Sequence, residues 1–202
     1  MVFGARGQQA RSVATTFRRI WVLCDESERS DRAVEVAAAL ARPIDALLTL
    51  VHVARDDVPA TTPAEGIAGD LVGGSDVARW EARLAETAAG IPDVRTSVRI
   101  ATGEMPTVLR LQIAAAAPDL VVVGTRGVGR PYDQIRGGVG QFLLSEGRVP
   151  VLLVGRRAGP GTGRVTVTTT EPIARLRTAV GMSRLGRVVN RGENPVLVLP
   201  RR

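Results

Sequence analysis

Four short aliphatic runs, IWVLC (20–24), ALLTLVHV (46–53), DLVVVG (119–124) and VPVLLVG (149–155), and a fifth more polar one, VRTSVRIA (94–101), alternate with segments of helical periodicity. Nothing else constrains the fold so tightly. Runs of Val, Leu and Ile this short, without polar alternation, read as strands buried on both faces of a sheet. The intervening segments are RAVEVAAALAR (32–42), with Ser27 or Ser30 placed to cap its start, DVARWEARLAETAAG (76–90), MPTVLRLQIAAAA (105–117) and VGQFLLSEG (139–147). The second puts Val77, Trp80 and Leu84 on one face, and Pro106 is tolerated in the first turn of the third. The order β-α-β-α-β-α-β-α-β predicts an α/β fold, a mainly parallel sheet covered by helices on both faces and joined by right-handed crossovers. Ala-rich helices lying close on Val and Leu strands account for a chain that is 45% hydrophobic but only 3% aromatic.

All 27 basic residues are arginine, and the net charge is +7. Their placement argues against a nucleic-acid-binding body. Residues 1–19 carry +4, residues 20–154 carry −5 and residues 155–202 carry +8. An acidic body gains little counterion release on a polyanion, so any nucleic-acid contact falls to the Arg-rich ends. Cys24 is the only cysteine and His52 the only histidine, which excludes an internal disulfide, a zinc knuckle, HExxH and a Ser-His-Asp triad within one chain. No apolar run is long enough to span a membrane, and the N-terminus lacks the apolar segment of a signal peptide, so the expectation is a cytoplasmic protein without membrane attachment.

The chain divides into a basic leader (1–19), an α/β domain (20–155), and a linker with an Arg-rich extension (156–202). VTVTTT (165–170) and VVNRGENPVLVLP (188–200) read as further strand-forming segments, with PIARLRTAV (172–180) as a helix between them. SEGRVPVLLVG (145–155) aligns with NRGENPVLVLP (190–200) at an offset of 45 residues, matching Gly147 with Gly192 and Pro150 with Pro195. The same offset lays DLVVVGT (119–125) on RVTVTTT (164–170), although the intervening glycines do not repeat. Two readings follow: a decayed strand-loop-helix-strand duplication, or a strand-forming tail that pairs with a sheet edge in cis or across a dimer.

GTRGVGRPYDQIRGGVG (124–140) follows the fourth strand and opens the fourth helix. Glycine-rich turns let backbone N–H groups surround an anion, and a helix N-terminus adds its dipole. Arg126, Arg130 and Arg136 add charge, and Tyr132 could cover a ligand. The segment is neither a Walker A loop nor a Rossmann fingerprint. It would nonetheless lie where open α/β sheets take ligands, beyond the strand ends where strand order reverses. Asp25, ending the first strand, would face it, either accepting from a ribose hydroxyl or serving as a helix-start acid. Cys24 reads as an inert core thiol, Trp80 as a core anchor, and His52 as packed or hydrogen-bonded near a strand end rather than catalytic.

In these pieces, IWVLCDESERSDRAVEVAAALA, LLTLVHV, ATGEMP, PDLVVVGTRGVG and GGVGQFLLSEGRVPVLLVG, the chain resembles the universal stress protein superfamily over about residues 18–155. The resemblance implies a three-layer α/β/α open sheet of five parallel strands in the order 3-2-1-4-5, and a homodimer formed through the last strand. Its ATP-binding branch carries G-x2-G-x9-G-[S/T]; Gly124, Gly127 and Gly137 meet that spacing, while Gly138 stands at the hydroxyl position and Gly140 at a second position that often carries one. The resemblance further implies that Cys24 and Asp25 lie against a nucleoside. Gly124, Arg126 and Gly127 would approach the ribose and phosphates, and Gly137, Gly138, Val139 and Gly140 would supply the helix start. ATP is the implied cofactor; acids such as Glu26, Asp31 and Asp133 could hold Mg²⁺ against it, yet they form no recognisable metal-ligand set. A stress-response regulatory role without dedicated turnover follows, with an unidentified protein partner. The alternative is an interaction protein of the same fold that has lost its ligand, and a third reading is nucleic-acid contact through the Arg-rich ends.

Overall fold

The computed structural model describes residues 17–54, 72–125, 138–160, 165–169, 189 and 193–200. The strands are β1 (Arg19–Leu23), β2 (Leu47–Ala54), β3 (Thr96–Thr102), β4 (Leu120–Gly124), β5 (Val151–Val154), β6 (Thr166–Thr169) and β7 (Val196–Leu199). The helices are α1 (Glu28–Ala41), α2 (Val72–Ala89), α3 (Met105–Ala116) and α4 (Val139–Glu146). They match the elements expected from the sequence in kind and order. Ser27 caps α1, its side chain accepting from the Ser30 amide, and Glu28 and Asp31 lie in the first turn where the helix dipole favours acids.

The sheet runs β3-β2-β1-β4-β5-β7-β6. Its first five strands are mutually parallel in the expected 3-2-1-4-5 order. The C-terminal extension continues the same sheet: β7 lies antiparallel to β5, and β6 lies parallel to β7. The expected helix at 172–180 and residues 1–16 of the expected leader (1–19) lie outside the described residues, while Arg19, the last of that leader, is the first residue of β1.

Strand alternation divides the interior in two. Ile20, Val22, Leu48, Leu50, Leu120, Val122 and Leu152 pack under α1 and α2. Trp21, Val51, Val121, Val123, Val151, Leu153, Val196 and Val198 pack under α3 and α4. The small residues Ala33, Ala37 and Ala41 of α1 are fully buried, which lets that helix lie close to the central strands. No helix among the described residues is long and apolar enough to cross a membrane.

Candidate functional site

Strand order reverses between β1 and β4, which pair from Ile20↔Leu120 to Leu23↔Val123 and end side by side. Beyond their C-terminal ends opens a cleft of about 230 Å³. Cys24, Asp25, Gly124, Gly138, Val139 and Gly140, six of the positions singled out in the sequence, all line it. Arg126, Gly127 and Gly137 lie outside the described residues, as do Arg130, Tyr132, Asp133 and Arg136.

Asp25 is held by its neighbours. Its amide donates to Ser30 Oγ at 3.0 Å, and its Oδ1 accepts from the Ser27 amide at 2.9 Å and from the Ser27 hydroxyl. The carboxylate is therefore a helix-start acid, as one reading of the DESE run requires, and it also borders the cleft. Across from it, Gly124 meets α1 at very close range. A Cβ at position 124 would stand 2.3 Å from the Arg29 carbonyl oxygen. This glycine is demanded by helix packing, a cause that the loop motif alone does not suggest.

The far wall is the start of α4. Gly138 is its N-cap, with extended backbone (φ −54°, ψ 146°), and its carbonyl accepts from the Gln141 and Phe142 amides. The first amides of a helix have no acceptor within it and sit at the positive end of the dipole. Among the described residues, no atom lies within 4 Å of the position a Gly138 side chain would take.

Cys24 and His52 form the floor. Burial pushes the Cys24 thiol up to about 12, despite hydrogen bonding to Ser30 and Val51, so the sulfur is a protonated core atom at neutral pH. His52 Nδ1 lies 2.8 Å from the Cys24 carbonyl. A carbonyl only accepts, so Nδ1 carries the proton and Nε2 the lone pair of the neutral ring. The ring stacks on Trp80 with centroids 3.6 Å apart and planes at 15°. Desolvation lowers the His52 pKa below its ordinary 6.5, against the raising influence of the Cys24 carbonyl and of Asp76, Asp25 and Glu26. Above pH 6.5 both folded and unfolded chains hold a neutral ring; below it the unfolded chain takes up a proton that the folded ring still refuses. Stability from this group is thus lost as pH falls from 6.5 towards the lower folded value. The single imidazole resonance in a proton NMR titration is expected to have a midpoint below 6.5 in the folded chain and to return to it on unfolding.

Other lining residues escaped the sequence reading. Arg29 and Ser30 of α1, Met105 and Leu109 of α3, Val53 of β2, Thr125 and Gln141 also border the cleft. Their common signal is position, since they sit at helix starts or strand C-terminal ends, all of which converge at one edge of a parallel sheet. Among the described residues, no three His, Cys, Asp or Glu side chains come together as a metal-ligand group.

An open, mainly parallel sheet with a glycine-bordered cleft at its reversal point defines a doubly wound α/β protein. The universal stress protein family model matches residues 16–155, and the chain belongs to that family. It is 27% identical over 146 residues to universal stress protein YxiE of Bacillus subtilis (strain 168), covering 68% of this chain and 99% of that protein. Among solved structures it is similar to a universal stress protein in complex with cAMP, at 19% identity and a TM-score of 0.53, covering 69% of this chain and 98% of the other. It is also similar to a family member from Burkholderia pseudomallei, at 21% identity and a TM-score of 0.48, covering 69% and 97% respectively.

Proposed function

We propose that the cleft binds an adenine nucleotide and that the protein is a nucleotide-responsive regulator without dedicated turnover. The observation that carries this reading is the convergence of Asp25, Gly124 and the amino end of α4 on one cleft at the strand-order reversal. Cys24, Asp25, His52 and Val53 would flank the nucleoside. The backbone amides of Val139 and Gly140 would receive phosphate, as helix N-termini do. Gly127 and Gly137 complete the G-x2-G-x9-G spacing begun by Gly124 in the sequence, and Arg126 and Gly127 would approach the ribose and phosphates, as the family resemblance implies. That a structurally similar protein is complexed with cAMP supports the adenosine moiety more than any one phosphate number.

ATP is the finer reading. Mg²⁺ would then neutralise polyphosphate charge, with Glu26 and Asp31 the carboxylates near Asp25 at the start of α1. The chain has no lysine to neutralise a γ-phosphate, which favours binding over hydrolysis. Gly138 supports a second reading, an interaction protein that has dispensed with the ligand, because it offers no hydroxyl where the family motif has one.

Calorimetric titration with ATP, AMP and cAMP separates the two. Saturable heat for at least one of them, weakened by Asp25→Ala in a variant that still folds, is expected. No heat at about 1 mM ligand with folded protein would favour the interaction protein.

A further inference from the structure

The offset of 45 residues seen in the sequence reappears in the strand pairing. β4 pairs with β5 from Val121↔Val151 to Gly124↔Val154. Shifted by 45, those partners become Thr166↔Val196 to Thr169↔Leu199, which is the register of β6 with β7 at all four positions. Leu144, buried in α4, maps onto Val189, which is also helical and buried. Both ladders join residues 30 apart in sequence, and the four pairs of one fall on the four pairs of the other at the shift that the Gly147/Gly192 and Pro150/Pro195 matches give.

The join between the two units is equally specific. β5 and β7 are antiparallel and centred on Leu152↔Leu197, with Val151↔Val198 and Leu153↔Val196 on either side. Leu197 is the counterpart of Leu152 under the shift, so each strand meets its own copy about a local two-fold. That is the isologous pairing two identical chains would make. Contact is close: a Cβ on Gly155 would lie 2.1 Å from the Val189 carbonyl oxygen. Val196 and Val198 are buried in the same cluster as Val151 and Leu153.

We propose that residues 164–200 derive from a partial copy of the β4–α4–β5 unit, and that its strands β6 and β7 extend the sheet so that β7 takes the place of a second chain at the outer edge of β5. A homodimer through that strand, as the resemblance implies, needs the edge that β7 covers. Thr169, Pro172, Met182 and Ser183 stand where Gly124, Gly127, Gly137 and Gly138 stand in the original. The copy has kept its pairing surface and lost its glycine loop, so it seals an edge whose unpaired N–H and C=O groups would otherwise recruit another strand.

Cysteine pairs in the full chain test this. Facing residues of an antiparallel pair lie about 4.5–5.5 Å apart at Cα, within disulfide range. On oxidation, Leu152→Cys with Leu197→Cys is expected to close a bond within one chain, and Leu152→Cys alone to remain a 21.4 kDa species. Covalent dimers of the single variant, or a bond joining two chains in the double variant, would overturn the proposal. Amide exchange on the unaltered chain needs no variant to fold. Protection of Val151–Val154 independent of protein concentration is expected, and protection that grows with concentration would contradict it.

Discussion

Gly124→Ala is expected to destabilise the protein by about 1–3 kcal/mol or more, the range for forcing atoms into a filled interior. The new methyl carbon would stand 2.3 Å from the Arg29 carbonyl oxygen and 2.5 Å from its carbonyl carbon. Both are backbone atoms in the first turn of α1, so no side chain can swing aside. The helix itself would have to withdraw, and Ala33, Val34 and Ala37 bury it against the sheet. For a chain of this size each kcal/mol corresponds to roughly 2–4 °C in Tm. Thermal melts should therefore show a clear downward shift, with the nucleotide heat weakened because Gly124 and Arg29 both line the cleft. Gly138→Ala is the control, since no atom of the described residues lies within 4 Å of its Cβ position. Equal melting of the two variants would refute the packing account of Gly124.

Gly138→Ser is expected to leave the fold intact and tighten nucleotide binding. The backbone at 138 is extended and no atom of the described residues crowds its Cβ position, so a serine enters there without strain. It occupies the N-cap of α4, where its oxygen can accept from a first-turn amide. A hydroxyl has a donor to spare while it accepts, and that donor would face the cleft. A hydrogen bond to a charged group contributes about 1.5–3 kcal/mol, which is roughly 10- to 150-fold in Kd. Titration of the variant against the parent measures it. Unchanged affinity for every nucleotide would mean that phosphate does not reach the start of α4.

The element order was legible because each element carries its own local cause. Buried strands are runs of Val and Leu, α1 announces its start with Ser27, and α3 tolerates Pro106 in its first turn. Sheet order was legible only through the family resemblance, because nothing local tells β1 that its neighbours are β2 and β4. The cleft was half legible. Cys24, Asp25 and the 138–140 segment could be assigned to it, while the stack of His52 on Trp80 joins residues 28 positions apart and leaves no periodic trace. Gly124 was legible as a glycine with a purpose, but its nearest constraint is a helix rather than a ligand. The tail showed an echo of residues 145–155 at an offset of 45, yet the sequence left open both its origin and its direction. Only the hydrogen-bonded register places β7 antiparallel on β5.

Two features could attract ATP: the cleft, and ten arginines against two acids in residues 155–202. Affinity alone does not separate them, so mapping amide chemical shifts during an ATP titration is the decisive measurement. If the cleft is a nucleotide site, the saturable shifts will cluster at Cys24–Asp25, His52–Val53, Gly124–Thr125 and Gly138–Gln141, and they will survive moderate salt. Shifts confined to the Arg-rich tail and erased by salt, or none at saturating ATP in a folded chain, would contradict it.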